Sequence, residues 1–163
     1  MVTALARSNE STRSIDAGDL ERVIAIDRAH TGHSRRRFFE KRFATAAAHH
    51  DDFVQIGLTR GGSLRGFAIA RLSRGEFGRE DVLAVLDVVG VELESQDRGV
   101  GQTLIELLIE ILRQKGVRSI HSQASWANHD LLRFFDSAGF QLCPRVVLER
   151  SVTEALLEPA EEP

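Results

Sequence analysis

The sequence predicts a mixed α/β fold, α+β-like in the grouping of its strands, on a single domain spanning residues 1–163. Three observations lead there. Between Phe53 and Leu93 the apolar residues fall in strand-length runs separated by turn residues. Leu20 to Ile24, Phe38 to Ala47 and Val100 to Leu112 instead carry apolar residues at helical spacing. The stretch Asp87–Lys115, DVVGVELESQDRGVGQTLIELLIEILRQK, joins the end of an apolar strand to a long helix through a turn with two glycines.

In chain order, Met1–Asn9 reads as a frayed end and Ser11–Ile15 as a short first strand. Asp16 to Asp19 offer caps to a helix holding Leu20, Val23 and Ile24, which stops around Thr31-Gly32-His33-Ser34. A second helix opens on Arg35, Arg36 and Arg37, read as a solvated face, and turns Phe38, Phe39, Phe43, Ala46 and Ala47 inward. Phe53–Thr59 and Leu64–Leu72 flank Arg60-Gly61-Gly62-Ser63, a hairpin signal. After a loop from Arg74 to Glu80, the nearly continuous apolar run Val82–Leu93 suits a strand covered on both faces. The helix after Gly99 turns Val100, Leu104, Leu107, Leu108, Ile111 and Leu112 to one side and ends at Gly116. Val117–Gln123 reads as a strand. Asn128 caps a helix with Leu131, Leu132, Phe134, Phe135 and Ala138 inside, stopped by Gly139. One or two last strands take in Val146, Val147, Leu148 and Val152, and Glu158–Pro163 is read as a disordered tail.

Composition narrows the function. At 163 residues with 42% hydrophobic and 28% charged residues, the chain fits one soluble globular domain. A net charge of −3 gives no electrostatic case for nucleic acid. One cysteine, Cys143, excludes an internal disulfide; it reads as a small buried residue rather than a nucleophile. No apolar run approaches a membrane span and no secretory leader is evident, so the expected location is cytoplasmic, with no membrane partner. His49-His50-Asp51-Asp52 lacks a second cluster and reads as a polar loop, so no metal is expected.

The chemistry concentrates in Gln96-Asp97-Arg98-Gly99-Val100-Gly101. Free N–H groups and the positive end of the helix dipole make such a turn an anion site suited to a phosphate or pyrophosphate. The turn alone does not say which phosphate ligand. No G-x-x-x-x-G-K-[ST] occurs, and Gln102-Thr103-Leu104 supplies no third glycine for a dinucleotide fingerprint, which disfavours a nucleotide protein. Asp87 stands out as an acid inside an apolar strand, on the face of Leu83 and Val85 unless a bulge intervenes. It is a candidate base or amine-binding group, or else a structural partner for an arginine or a backbone amide. Glu76, in Gly75-Glu76-Phe77-Gly78, is the second candidate; His30 and His33 are further loop candidates.

The turn and the order of elements resemble the GNAT superfamily of acyl-CoA-dependent N-acyltransferases. Gln96-Asp97-Arg98-Gly99-Val100-Gly101 fits the superfamily pattern [RQ]-x-x-G-x-[GA], and Asn128–Phe140, NHDLLRFFDSAGF, resembles its second motif. The match in order runs from about Ser11 to Val152.

The resemblance implies a central mixed sheet splayed between two parallel strands, with helices on both faces and acyl-CoA in the gap. It implies pantetheine amides on the backbone near Val89 and Val91. Pyrophosphate would rest on the N–H groups of Arg98, Gly99, Val100, Gly101, Gln102 and Thr103, with Gln96 heading the motif and Asn128 approaching the thiol arm. The implied activity is transfer of an acetyl group from acetyl-CoA directly to a primary amine of a small molecule or peptide. The alternative is a catalytically weakened acyl-CoA-binding or regulatory module. Many members carry a tyrosine seven residues after the asparagine as the acid for the leaving thiolate. Here that position is Phe135, and the chain has no tyrosine. A thiol is acidic enough for thiolate to leave without a protein acid. In the superfamily the final strands often pair across a dimer, which Pro144–Val152 could do here.

Overall fold

The computed structural model describes residues 10–96 and 98–152. The frayed first residues, Asp97 and the C-terminal tail read from the sequence lie outside the described residues. The chain divides into two compact units after Asn128.

In the first unit, five strands follow one another in the order β1-β2-β3-β4-β5: β1 Glu10–Ser14, β2 Phe53–Arg60, β3 Ser63–Arg74, β4 Val82–Val91 and β5 Ser119–His121. The first three pairings are antiparallel and β4–β5 is parallel, so the sheet is mixed. Helix α1, Leu20–Thr31, follows a 3-10 turn in which Asp16 accepts from Gly18 N and Asp19 accepts from Asp16 N. It stops at Gly32, which takes the left-handed conformation (φ 76°) and donates to Arg28 O. Helix α2, Arg36–Ala48, buries Phe39, Phe43 and Ala46, whereas Ala47 is exposed, one position off the inner stripe. The β2–β3 turn uses Gly61 and Gly62, both at positive φ, as a two-residue hairpin loop requires.

Helices α1 and α2 cover one face of the sheet, closing a core of Val23, Ile26, Phe39, Phe43, Phe67, Ile69 and Val88. Full enclosure of Phe67 contributes roughly 2–3 kcal/mol. Helix α3, Val100–Gln114, lies on the other face. Adjacent strand residues mark the two sides: a Cβ on Gly66 would meet Val100 and Leu104, while neighbouring Phe67 packs under α1. The buried stripe of α3 is Val100, Gly101, Leu104, Ile105, Leu108 and Leu112; Leu107 and Ile111 sit at its margin.

Strand β4 ends at Val91, and Leu93 falls in a 3-10 turn, half exposed, rather than in the strand. Burial along β4 alternates through most of its length, so one side of it is less covered than the sequence suggested. The register with β3 jumps from Ile69↔Val88 to Ala70↔Leu86, leaving Asp87 as an extra, bulged residue. Strand β5 is shorter than expected, three residues paired with Leu83, Ala84 and Val85. Beyond it the hydroxyl of Ser122, not its backbone, donates to Leu86 O (3.1 Å), and the ladder stops.

In the second unit, α4 is His129–Ser137. Gly139 (φ 82°) closes it, with Gly139 N donating to Asp136 O and Phe140 N to Phe135 O. The rings of Phe134, Phe135 and Phe140 pack together, and Phe135 alone among them is buried. The expected final strand is not formed among residues 141–152. Val146, Val147, Leu148 and Val152 are 74–95% exposed there. A β-branched run becomes a strand only beside a ladder partner, and Pro144 supplies no N–H while Arg145 N turns back to Cys143 O at 2.7 Å. Cys143 is exposed, not buried.

Candidate active site

Past Val85↔His121, β4 continues to Val91 without a β5 neighbour. Which backbone groups line that free edge follows from the β3 ladder. Glu92 N donates to Arg65 O, and the register places Gly90 opposite Phe67 and Val88 opposite Ile69. Antiparallel residues alternate in direction, so the N–H and C=O groups of Val89 and Val91 point away from β3, into the gap. This is the splay between two parallel strands expected from the sequence.

One of these groups is engaged. His30 Nε2, near the end of α1, lies 2.5 Å from Val91 O. A carbonyl oxygen only accepts, so Nε2 carries the proton and donates. His33 does not join it; its Nδ1 donates to Thr31 O (3.0 Å) within its own turn.

The edge leads into the glycine turn. Gly99 sits at φ 77°, ψ 5° as the residue before α3, a conformation that favours glycine. Thr103 N donates to Gly99 O (2.9 Å), whereas the N–H groups of Arg98, Gly99, Val100, Gly101 and Gln102 have no acceptor among the described residues. They are the donors that a helix start leaves over, at the positive end of its dipole. Gln96 and Arg98 are exposed beside them, Thr103 is exposed on the first turn, and the Gln102 side chain is turned away onto Glu106 (3.0 Å). Asn128 N donates to Ser125 O at the end of the same unit. The donor set fits a pyrophosphate: unfilled N–H groups at a helix start, a glycine with no Cβ in the way and an exposed arginine.

The turn is held by a group that sequence reasoning missed. Glu92, the first residue after β4, accepts from Arg22 of α1, from Arg65 of β3 (2.7 Å) and from Ser95 of the following turn (3.0 Å). Arg22 also donates to Leu64 O. Burial pushes the Glu92 carboxyl up, but donation from Arg65, Arg22 and Ser95 outweighs it and brings it to about 2. One ionised carboxylate thus fastens α1, β3 and the approach to the glycine turn.

Asp87 is paired with arginines, the structural alternative its sequence left open. Arg71 Nε donates to its Oδ1 at 3.3 Å, and Arg42 Nη2 lies 3.1 Å from Oδ2 in an ion contact whose angle falls short of a hydrogen bond. It does share the face of Val85 and Leu83, because the bulge comes after it and carries Val88 to the same side. Glu76 is not brought to Asp87; it opens a 3-10 turn after β3 and accepts from Ser73 Oγ.

The arginine run is also only partly a solvated face. Arg35 forks onto buried Asp27 and stacks near Phe38 and Phe39; Arg36 bridges to Glu21. A signal existed for the first pair: Asp27 stands four and three residues after Val23 and Ile24, on the buried stripe of α1. Among the described residues no group of three metal-ligating side chains gathers, and no helix is long and apolar enough to cross a membrane.

Comparison with known proteins agrees with this geometry. Residues 19–140 match the acetyltransferase (GNAT) family. The chain is 27% identical over 128 residues, 78% of each chain, to the [ribosomal protein bS18]-alanine N-acetyltransferase of Escherichia coli K12. Its fold resembles AAC(6')-Iy in complex with the bisubstrate analogue CoA-S-monomethyl-acetylneamine (TM-score 0.72, 20% identity, 90% of this chain and 100% of that one). It also resembles an aminoglycoside acetyltransferase from an uncultured soil metagenomic sample (TM-score 0.71, 16% identity, 90% and 98%). The chain therefore belongs to the acetyltransferase (GNAT) family, the family of acyl-CoA-dependent N-acyltransferases.

Proposed function

We propose that this N-acyltransferase moves an acetyl group from acetyl-CoA directly to a primary amine of a small molecule or peptide, in the cytoplasm. The observation that carries the donor assignment is a pair of open backbone sets: the outward N–H groups of Val89 and Val91 on the β4 edge, and the N–H groups of Arg98 to Gln102 at the start of α3, which have no acceptor among the described residues. The N–H groups of Arg98, Gly99, Val100, Gly101 and Gln102 hold the pyrophosphate; the Thr103 N–H is taken by Gly99 O, leaving only its hydroxyl to join them. Val89 and Val91 pair with the pantetheine arm. Gln96 heads that turn, and Asn128 approaches the thiol end. The bound thioester supplies the activated acyl carbon. Val89 N–H, on the free edge, is the donor we assign to the carbonyl oxygen as it gains charge.

The amine lone pair forms the new C–N bond, the C–S bond breaks and sulfur leaves as thiolate. The nitrogen's proton passes to water. Phe135 has no hydroxyl to offer, so the thiolate takes its proton from solvent, as the acidity of a thiol allows. Asp87, held between two guanidinium groups, is assigned to the acceptor side as their anchor rather than as a free base. Glu76 borders that side from the end of β3. We read residues 1–163 as one catalytic domain, since the family match runs across the boundary between the two compact units. A homodimer through residues 144–152 is compatible with their exposed apolar side chains.

The test is release of free thiol from acetyl-CoA with a panel of amines. Amine-dependent thiol release supports the reading. Bound CoA with no turnover on a broad panel would select a binding module instead.

A further inference from the structure

At the bulge of β4 one carboxylate serves two guanidinium groups. Asp87 is 12% exposed at its side chain, Arg42 22% and Arg71 39%. Arginine keeps its charge at any working pH, so the group holds a surplus of one positive charge. Its donors are not filled. Arg71 meets Asp87 through Nε only, leaving Nη1 and Nη2 with no partner among the described residues. Arg42 Nε is buried with no acceptor, and its guanidinium lies over the rings of Phe38 and Phe53 at 5.3 and 5.6 Å, which hold it in place. Arg42 Nε is the buried donor of the group without an acceptor, while the Arg71 Nη groups face solvent, where an arriving anion can replace water with charge-assisted hydrogen bonds.

The place matters as much as the charge. Asp87 lies two residues before Val89, about 7 Å along the strand from the backbone assigned to the thioester. It also lies just past the last β4–β5 pair, where the gap begins.

We propose that the acceptor is a small amine bearing a carboxylate or phosphate, and that Arg71 and Arg42 bind that anion while Asp87 aligns their forks. This rests on the acyl-transfer reading above and narrows its acceptor class. A polycationic amine meets the surplus charge and is repelled, whereas an anionic group completes it. The same positive field favours the neutral amine over its ammonium form, and the neutral amine is the one that attacks.

The test uses matched pairs of acceptors with the full chain saturated with CoA: an α-amino acid against its amide, and an amino sugar phosphate against the free amino sugar. Calorimetry reads binding, and thiol release from acetyl-CoA reads turnover on the same pairs. The anionic member is expected to bind about tenfold tighter or more, with KM lower in proportion; which pair shows it distinguishes carboxylate from phosphate. Arg71→Gln should erase most of that preference while CoA affinity stays unchanged and the melting curve still shows a folded chain, and Arg71→Lys should keep part of it. Equal binding within both pairs, tighter binding of polyamines, or full preference in Arg71→Gln overturns the proposal. Anionic preference in calorimetry without turnover on any amine would leave the anion site standing and remove the transfer reading. Turnover without preference would do the reverse.

Discussion

His30 Nε2 donates to the carbonyl oxygen of Val91 across 61 residues of chain, on the β4 edge proposed for the acyl-CoA arm. An imidazole from α1 therefore holds a backbone acceptor that an amide N–H of the arm would use. If the pantetheine arm pairs with Val91 as proposed, the two donors compete for one oxygen and CoA binding displaces the ring.

Removing the competitor should help the ligand. His30→Ala is expected to tighten CoA binding by a few-fold to about tenfold, the worth of one neutral hydrogen bond. Calorimetry with CoA reads it directly. Weaker binding in the variant would mean that the ring supports the cofactor arm instead of occupying its place.

Glu92 gives the fold a sign in pH. Its carboxyl falls from 4.5 to about 2 on folding, so its contribution is complete above about 4.5 and is lost as pH falls toward 2. Melting curves between pH 2 and 6 should show a steep loss of stability across that window in the native chain. In Glu92→Gln the loss should be shallower, from a lower plateau. Coincident pH profiles would contradict the role of the Arg22–Glu92–Arg65 group.

Gly66 lies against the first turns of α3 and the backbone of β4. A Cβ there would stand 2.8 Å from Val100 Cγ1 and 3.0 Å from Gly90 O, so either the first turn of α3 or the β4 backbone must shift. Gly66→Ala is expected to cost about 1–3 kcal/mol of stability and to weaken CoA binding as well. A variant with native CoA affinity would show that the placement of the phosphate turn tolerates such a shift.

These relationships divide along a physical line. The RGGS hairpin, the stripe of α3 and the glycine turn were legible because each is fixed by neighbours within a few residues. Asp87 was legible as an acid in an apolar strand with an arginine partner as one reading, but which arginines, drawn from α2 and β3, and where the bulge falls were not. Glu92 drew no notice, since Arg22 lies 70 residues away and Arg65 27. The final strand misled for a related reason: Val146, Val147 and Leu148 have strand-like side chains, but a strand also needs a neighbouring ladder, and the described chain shows none there.

The most direct measurement is a backbone amide NMR titration with CoA. If the β4 edge and the start of α3 form the groove, the amides of Val89, Val91, Gly99, Val100, Gly101 and Gln102 should shift together along one binding curve, while those of Gly90 and Glu92, turned toward β3, move far less. Saturable binding that leaves the Gly99–Gln102 amides unmoved would contradict the account.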